Sequence, residues 1–91
     1  MVTMPLRFTG EAKVESGTGD LQLLAYLGDL PVRCIVKRAA VTAGLNETYV
    51  SDVQALEIYY IRAREIQNIA SQRYDNGERQ PTVSRIDMSI H

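Results

Sequence analysis

The sequence is poor in the side chains that carry out chemistry: its 91 residues include one cysteine and one histidine. One cysteine cannot close an internal disulfide. Cys34 sits among apolar neighbours, which reads as a reduced thiol in a core and points to the cytoplasm. The histidine, His91, stands at the very end of the sequence, a position prone to fraying and a poor one for a base that would activate the thiol. A metal site needs several His, Cys, Asp or Glu ligands converging, and Cys34, His91 and eleven scattered acids show no such spacing. No metal, cofactor or catalytic residue is therefore expected. Gly17-Thr18-Gly19 leads into a strand pattern instead of a helix N-terminus, so it is no phosphate loop. No run approaches the ~20 apolar residues that span a bilayer, and Met1 to Gly10 hold no apolar stretch of the signal-peptide kind. Charge of one sign is also missing. Ten basic and eleven acidic side chains leave a net charge of −1, so no broad field draws in phosphate polymers or anionic lipid. Neither nucleic acid nor membrane is an expected partner, and an enzyme ranks last among the function classes.

What is present suits one small globular domain over residues 1–91. Hydrophobic residues at 45% and charged residues at 23% are the ordinary mixture for a chain that folds around a single core. Leu6 and Phe8 alternate with Pro5, Arg7 and Thr9, and Ala12 and Val14 alternate with Glu11, Lys13 and Glu15; both read as short half-buried strands. Ser16 to Asp20 is a turn cluster. Leu21 to Leu27 and Val32 to Lys37 then flank Gly28-Asp29-Leu30-Pro31, the pattern of a hairpin. In its second arm Val32, Cys34 and Val36 face the core while Arg33, Ile35 and Lys37 face out. Pro31 has no amide to donate and fits only the start of that arm or an edge.

Arg38 to Ala43 favours a turn or two of helix that Gly44 ends. Ser51-Asp52-Val53-Gln54 has the capping-box spacing, and a long helix is predicted from Ser51 to Asp75, stopped by Asn76-Gly77. Its broad apolar stripe, Leu56, Tyr59, Tyr60, Ala63, Ile66, Ala70 and Tyr74, should cover the sheet. Beyond the turn at Asp75 to Gln80 and Pro81, Ile86, Met88 and Ile90 alternate with polar residues as a last strand would. The fold class is α+β: a mostly antiparallel sheet of three to five strands on one long helix, with one short helix before it.

The chain resembles the small bacterial proteins of the domain of unknown function 1488 family. The likeness runs from about Leu21 to Met88. It is carried by Leu23 to Leu27, Gly28, Val32 to Ile35, Ala39-Ala40-Val41, the helical stretches Ile58 to Arg62 and Ile66 to Ala70, Tyr74, and Ile86-Asp87-Met88. It implies an α+β fold and brings no activity with it. The sequence departs from the family in lacking a tryptophan-aspartate segment near its start and an acidic residue ahead of the alanine pair.

Two sets of residues are candidates for function. Eight of the ten basic residues are arginine, the side chain suited to two-pronged contact with carboxylate or phosphate. Arg33, Lys37, Arg38 and Arg62 would form a small-anion or nucleic-acid site if the hairpin face and the helix flank converge; otherwise pairs such as Arg62 with Glu65 absorb them. The second set is Ile58, Ile61 and Ile69, which fall opposite the core stripe. Leaving three isoleucines in water forgoes ~1.5 to 3 kcal/mol each, so either the same chain covers them or a partner does. The leading expectation is a non-catalytic interaction or regulatory module that forms a homodimer through this strip, since self-complementary two-fold contacts are common. The anion binder is the alternative.

Overall fold

The computed structural model describes residues 6–45 and 50–88; Pro5, Tyr49, Ile90 and His91 lie outside them. The elements run β1 (Arg7–Val14), β2 (Leu21–Leu27), β3 (Leu30–Val36), α1 (Arg38–Val41), α2 (Asp52–Asp75), β4 (Thr82–Val83) and α3 (Arg85–Met88). The strands lie side by side in chain order; β1, β2 and β3 are antiparallel neighbours, and β4 joins β3 in parallel. The fold is thus the α+β class expected, with four strands and one long helix.

The two short runs at the start are one strand. Phe8 pairs with Ala25 and Ala12 with Leu23, so Thr9, Gly10 and Glu11 stand against Leu24 alone. Gly10 takes up the slack at φ +89°, a value that costs glycine little. The Thr9 hydroxyl donates to the Leu24 carbonyl (3.2 Å) and accepts from the Glu11 amide (3.2 Å), which fixes the bulge. The hairpin is tighter than predicted: Leu27 pairs with Leu30 across Gly28-Asp29, so Leu30 and Pro31 belong to the strand. Pro31 fits because the amides of Ile35 and Lys37 point toward β4 and bond Pro81 and Val83. By the same alternation the amide Pro31 lacks would face that edge, past the reach of β4.

The capping box of α2 forms as read. Ser51 Oγ accepts from the Gln54 amide (3.2 Å), and Gln54 Oε1 accepts from the Ser51 amide (2.9 Å). At the far end the Gly77 amide donates to Tyr74 and the Glu78 amide to Arg73, a Schellman closure around Gly77. Between these caps Ala55, Tyr59, Ile66 and Ala70 are buried against Leu21, Leu23 and Ala25 of β2, Val32, Cys34 and Val36 of β3, and Val83. The buried face overlaps the predicted stripe: Tyr59, Ile66 and Ala70 are buried and Leu56, Ala63 and Tyr74 pack against the core. It is rotated from that stripe by roughly half of the ~100° step between successive residues. Ala55 enters the core, Tyr60 leaves it, and Ile58 and Ile69 come to rest half-buried at its margin.

The last predicted strand is a correction of the same kind. Only Thr82–Val83 extends the sheet, and Arg85–Met88 is a helical turn. The reason is Asp87, whose carboxylate accepts from the Ser84 amide (2.8 Å) and hydroxyl (3.1 Å), a cap at Ser-x-x-Asp spacing that bends the chain. Arg73 of α2 grips the same carboxylate at 2.5 Å and 3.1 Å and Glu78 at 2.6 Å. Burial pushes the Asp87 carboxyl up, but the Arg73 and Ser84 hydrogen bonds outweigh it and hold the group below its ordinary value.

Candidate functional site

Cys34 faces Leu23 at the centre of the sheet and has no exposed surface. Burial pushes its thiol up to about 11, so at neutral pH it is a packed, protonated side chain and not a nucleophile.

Of the four cations expected to share an anion site, three are engaged within the chain. Lys37 pairs with Asp20 at 3.2 Å. Arg38 spends its guanidinium inside the chain, donating to the carbonyls of Gly19 (2.8 Å) and Val50 (2.9 Å) and to Asp52 (3.0 Å). Arg62 does not meet Glu65; it donates to the carbonyls of Val41 (3.3 Å) and Ala43 (2.8 Å), closing the end of α1. These contacts satisfy carbonyls that a one-turn helix leaves without amide partners. Arg33 is exposed and enters no ion pair among the described residues; it stands on the sheet face opposite α2, across from Leu24.

A pocket of about 460 Å³ opens where the bulge parts β1 from β2. Glu11, Lys13, Gln22, Leu24 and Arg33 line it together with Tyr60 of α2. The Tyr60 hydroxyl donates to the Gly10 carbonyl at 3.3 Å, tying the helix to the bulge. Lys13 and Arg33 take part in no ion pair among the described residues. The sequence reading had not linked Lys13 to this place, because it is the bulge that sets Lys13 opposite Gln22 and so into the lining that Arg33 shares.

The outward face of α2 is the other feature the core leaves unused. Of the three isoleucines, Ile61 stands on it, 84% exposed, while Ile58 and Ile69 pack against the core edge. Ile61 is joined by Val53 (68% exposed) and Tyr60 (54%), residues seven or eight apart and so on the same side of a helix. Leu30 and Ile86 are also exposed but belong to other elements, and single apolar residues of that kind are ordinary.

No protein-family model matches the chain, and no curated protein matches it. Among solved structures, a protein of unknown function of the DUF1488 family from Shewanella loihica PV-4 is similar, with a TM-score of 0.74 at 13% sequence identity over 92% of this chain and 94% of that one. At this identity the likeness shows the fold, and the domain is DUF1488-like in architecture. Among the described residues no helix is long and apolar enough to cross a membrane.

Proposed function

We propose that this DUF1488-like domain is a non-catalytic interaction module of the cytoplasm that self-associates through the outward face of α2. The observation that carries the reading is Ile61 with Val53 and Tyr60, apolar surface on a helix whose other side already supplies the core. A lone amphipathic helix on a sheet gains nothing from a second apolar face, and keeping one in water forgoes burial worth ~1.5 to 3 kcal/mol per large side chain. A protein surface that covers it recovers that energy. Ile61→Arg tests the reading. Because Ile61 touches no core residue, the melting temperature should stay within a degree or two of the parent's. The dissociation constant of the dimer, measured by sedimentation equilibrium, should rise about tenfold. A parent chain that sediments as a monomer would refute the proposal.

A second reading is favoured by the bulge pocket: a small anion held by Arg33, with Lys13 in place of the partners first expected for it. Two cations that enter no ion pair among the described residues line the pocket and outnumber its one carboxylate, Glu11, which suits a phosphate or carboxylate. Titration with inorganic phosphate should shift the amide resonances of Leu24 and Arg33, the shifts should fade as sodium chloride rises, and Arg33→Ala should abolish them. Shifts that survive in Arg33→Ala would dispose of this site.

A further inference from the structure

We infer that two copies of α2 meet in antiparallel fashion about a two-fold axis passing between Tyr60 and Ile61; this rests on the self-association proposed above and specifies its geometry. The argument starts from which residues share the outer face. Val53, Glu57, Tyr60, Ile61, Arg64 and Asn68 are all exposed, and at 3.6 residues per turn they form one band along the helix, opposite the buried Ala55, Tyr59, Ile66 and Ala70. Opposite charges flank the middle of the band at equal spacing. Glu57 lies as far before the Tyr60/Ile61 midpoint as Arg64 lies beyond it.

Among the described residues neither charge has a partner within the chain. The residues three and four positions from Glu57 are Val53, Gln54, Tyr60 and Ile61, and those from Arg64 are Tyr60, Ile61, Gln67 and Asn68. None is charged, so neither helix-surface ion pair of the usual spacing is available.

An isologous contact repeats each pairing twice. With the two helices antiparallel, Tyr60 packs on the partner's Ile61, and Glu57 faces the partner's Arg64 on both sides of that apolar centre. In a parallel arrangement Glu57 would face Glu57 and Arg64 would face Arg64, which repel. The charges therefore select the orientation while the apolar pair supplies adhesion, the division of labour seen generally at helix interfaces. The sheet lies behind each helix, so nothing among the described elements stands between the two bands, and the assembly is four layers thick, sheet, helix, helix, sheet.

Charge reversal tests the pairing by sedimentation equilibrium. Glu57→Arg and Arg64→Glu should each weaken the dimer about tenfold, because each replaces two attractions with two repulsions. The combined variant, E57R with R64E, restores both pairs with their signs exchanged and should return the dissociation constant to within about threefold of the parent's. Should reversal perturb the helix, seen by circular dichroism, the milder Glu57→Gln and Arg64→Gln should each cost about threefold. Single variants without effect, or a double variant as weak as the singles while the parent still dimerises, would overturn the antiparallel pairing and leave self-association to another surface. A parent that is monomeric at every concentration would overturn both.

Discussion

Tyr59→Ala should lower the melting temperature by roughly 15 °C or more. Tyr59 is among the largest fully buried side chains, and its ring is where α2 meets the sheet. Truncating a buried aromatic removes its transfer energy and leaves a cavity, at ~3 to 5 kcal/mol. That is a large share of the ~5 to 14 kcal/mol expected for a chain of this length, and each kcal/mol moves the melting point of a domain this size by ~4 to 8 °C. Tyr59→Phe is the control. It keeps the ring and loses only the hydrogen bond that the Gln67 amide donates to the hydroxyl at 3.1 Å, a change of ~1 kcal/mol. Thermal unfolding followed by circular dichroism separates the two. Equal, small losses in both variants would mean that the ring is not a core element.

Arg38→Ala should cost about 3 kcal/mol, far more than an exposed arginine does. Its guanidinium spans the carbonyls of Gly19, in the turn before β2, and of Val50, just ahead of α2. Its own amide donates to Asp20 at 3.0 Å. Removing the fork strands two carbonyls, each ~1 to 3 kcal/mol when no replacement is at hand. The contact with Asp52, which is mostly in water, adds little. Arg38→Lys should recover only part of the loss, because an ammonium cannot bridge two acceptors in the way a planar fork does. In urea the midpoint should fall with the slope unchanged; a midpoint within error of the parent's would show that water replaces the fork.

The contrast between these two residues shows what the sequence made legible. Strand alternation around Cys34, the Ser51-Gln54 box and the Gly77 stop are local signals, set by neighbours within a turn or two, and each element formed where its signal stood. The side of α2 that meets the sheet is a different matter. Apolar residues nearly encircle the first half of the helix, so two overlapping stripes fit the periodicity, and packing against β2 and β3 chose the one containing Ala55 over the one containing Tyr60. At the end of the chain, alternation at Ile86 and Met88 outweighed a cap signal at Ser84 and Asp87 that was equally visible. The arginines were least legible. Arg38, Arg62 and Arg73 find their tertiary partners twelve to twenty-one residues away, and nothing in a local window marks an arginine as a clamp on backbone carbonyls.

The irregularity at Thr9 to Glu11 reaches beyond the pocket it opens. Among the described residues β1 borders the sheet with one side unpaired by any other strand, and an open border of this kind invites another molecule to extend the ladder without end. Here the row of amides and carbonyls is out of step in its middle and carries Lys13 beyond the break. A neighbour laid alongside can match only a short stretch before losing register. Growth into ribbons along this edge is thereby hindered, in keeping with the two-fold association proposed above.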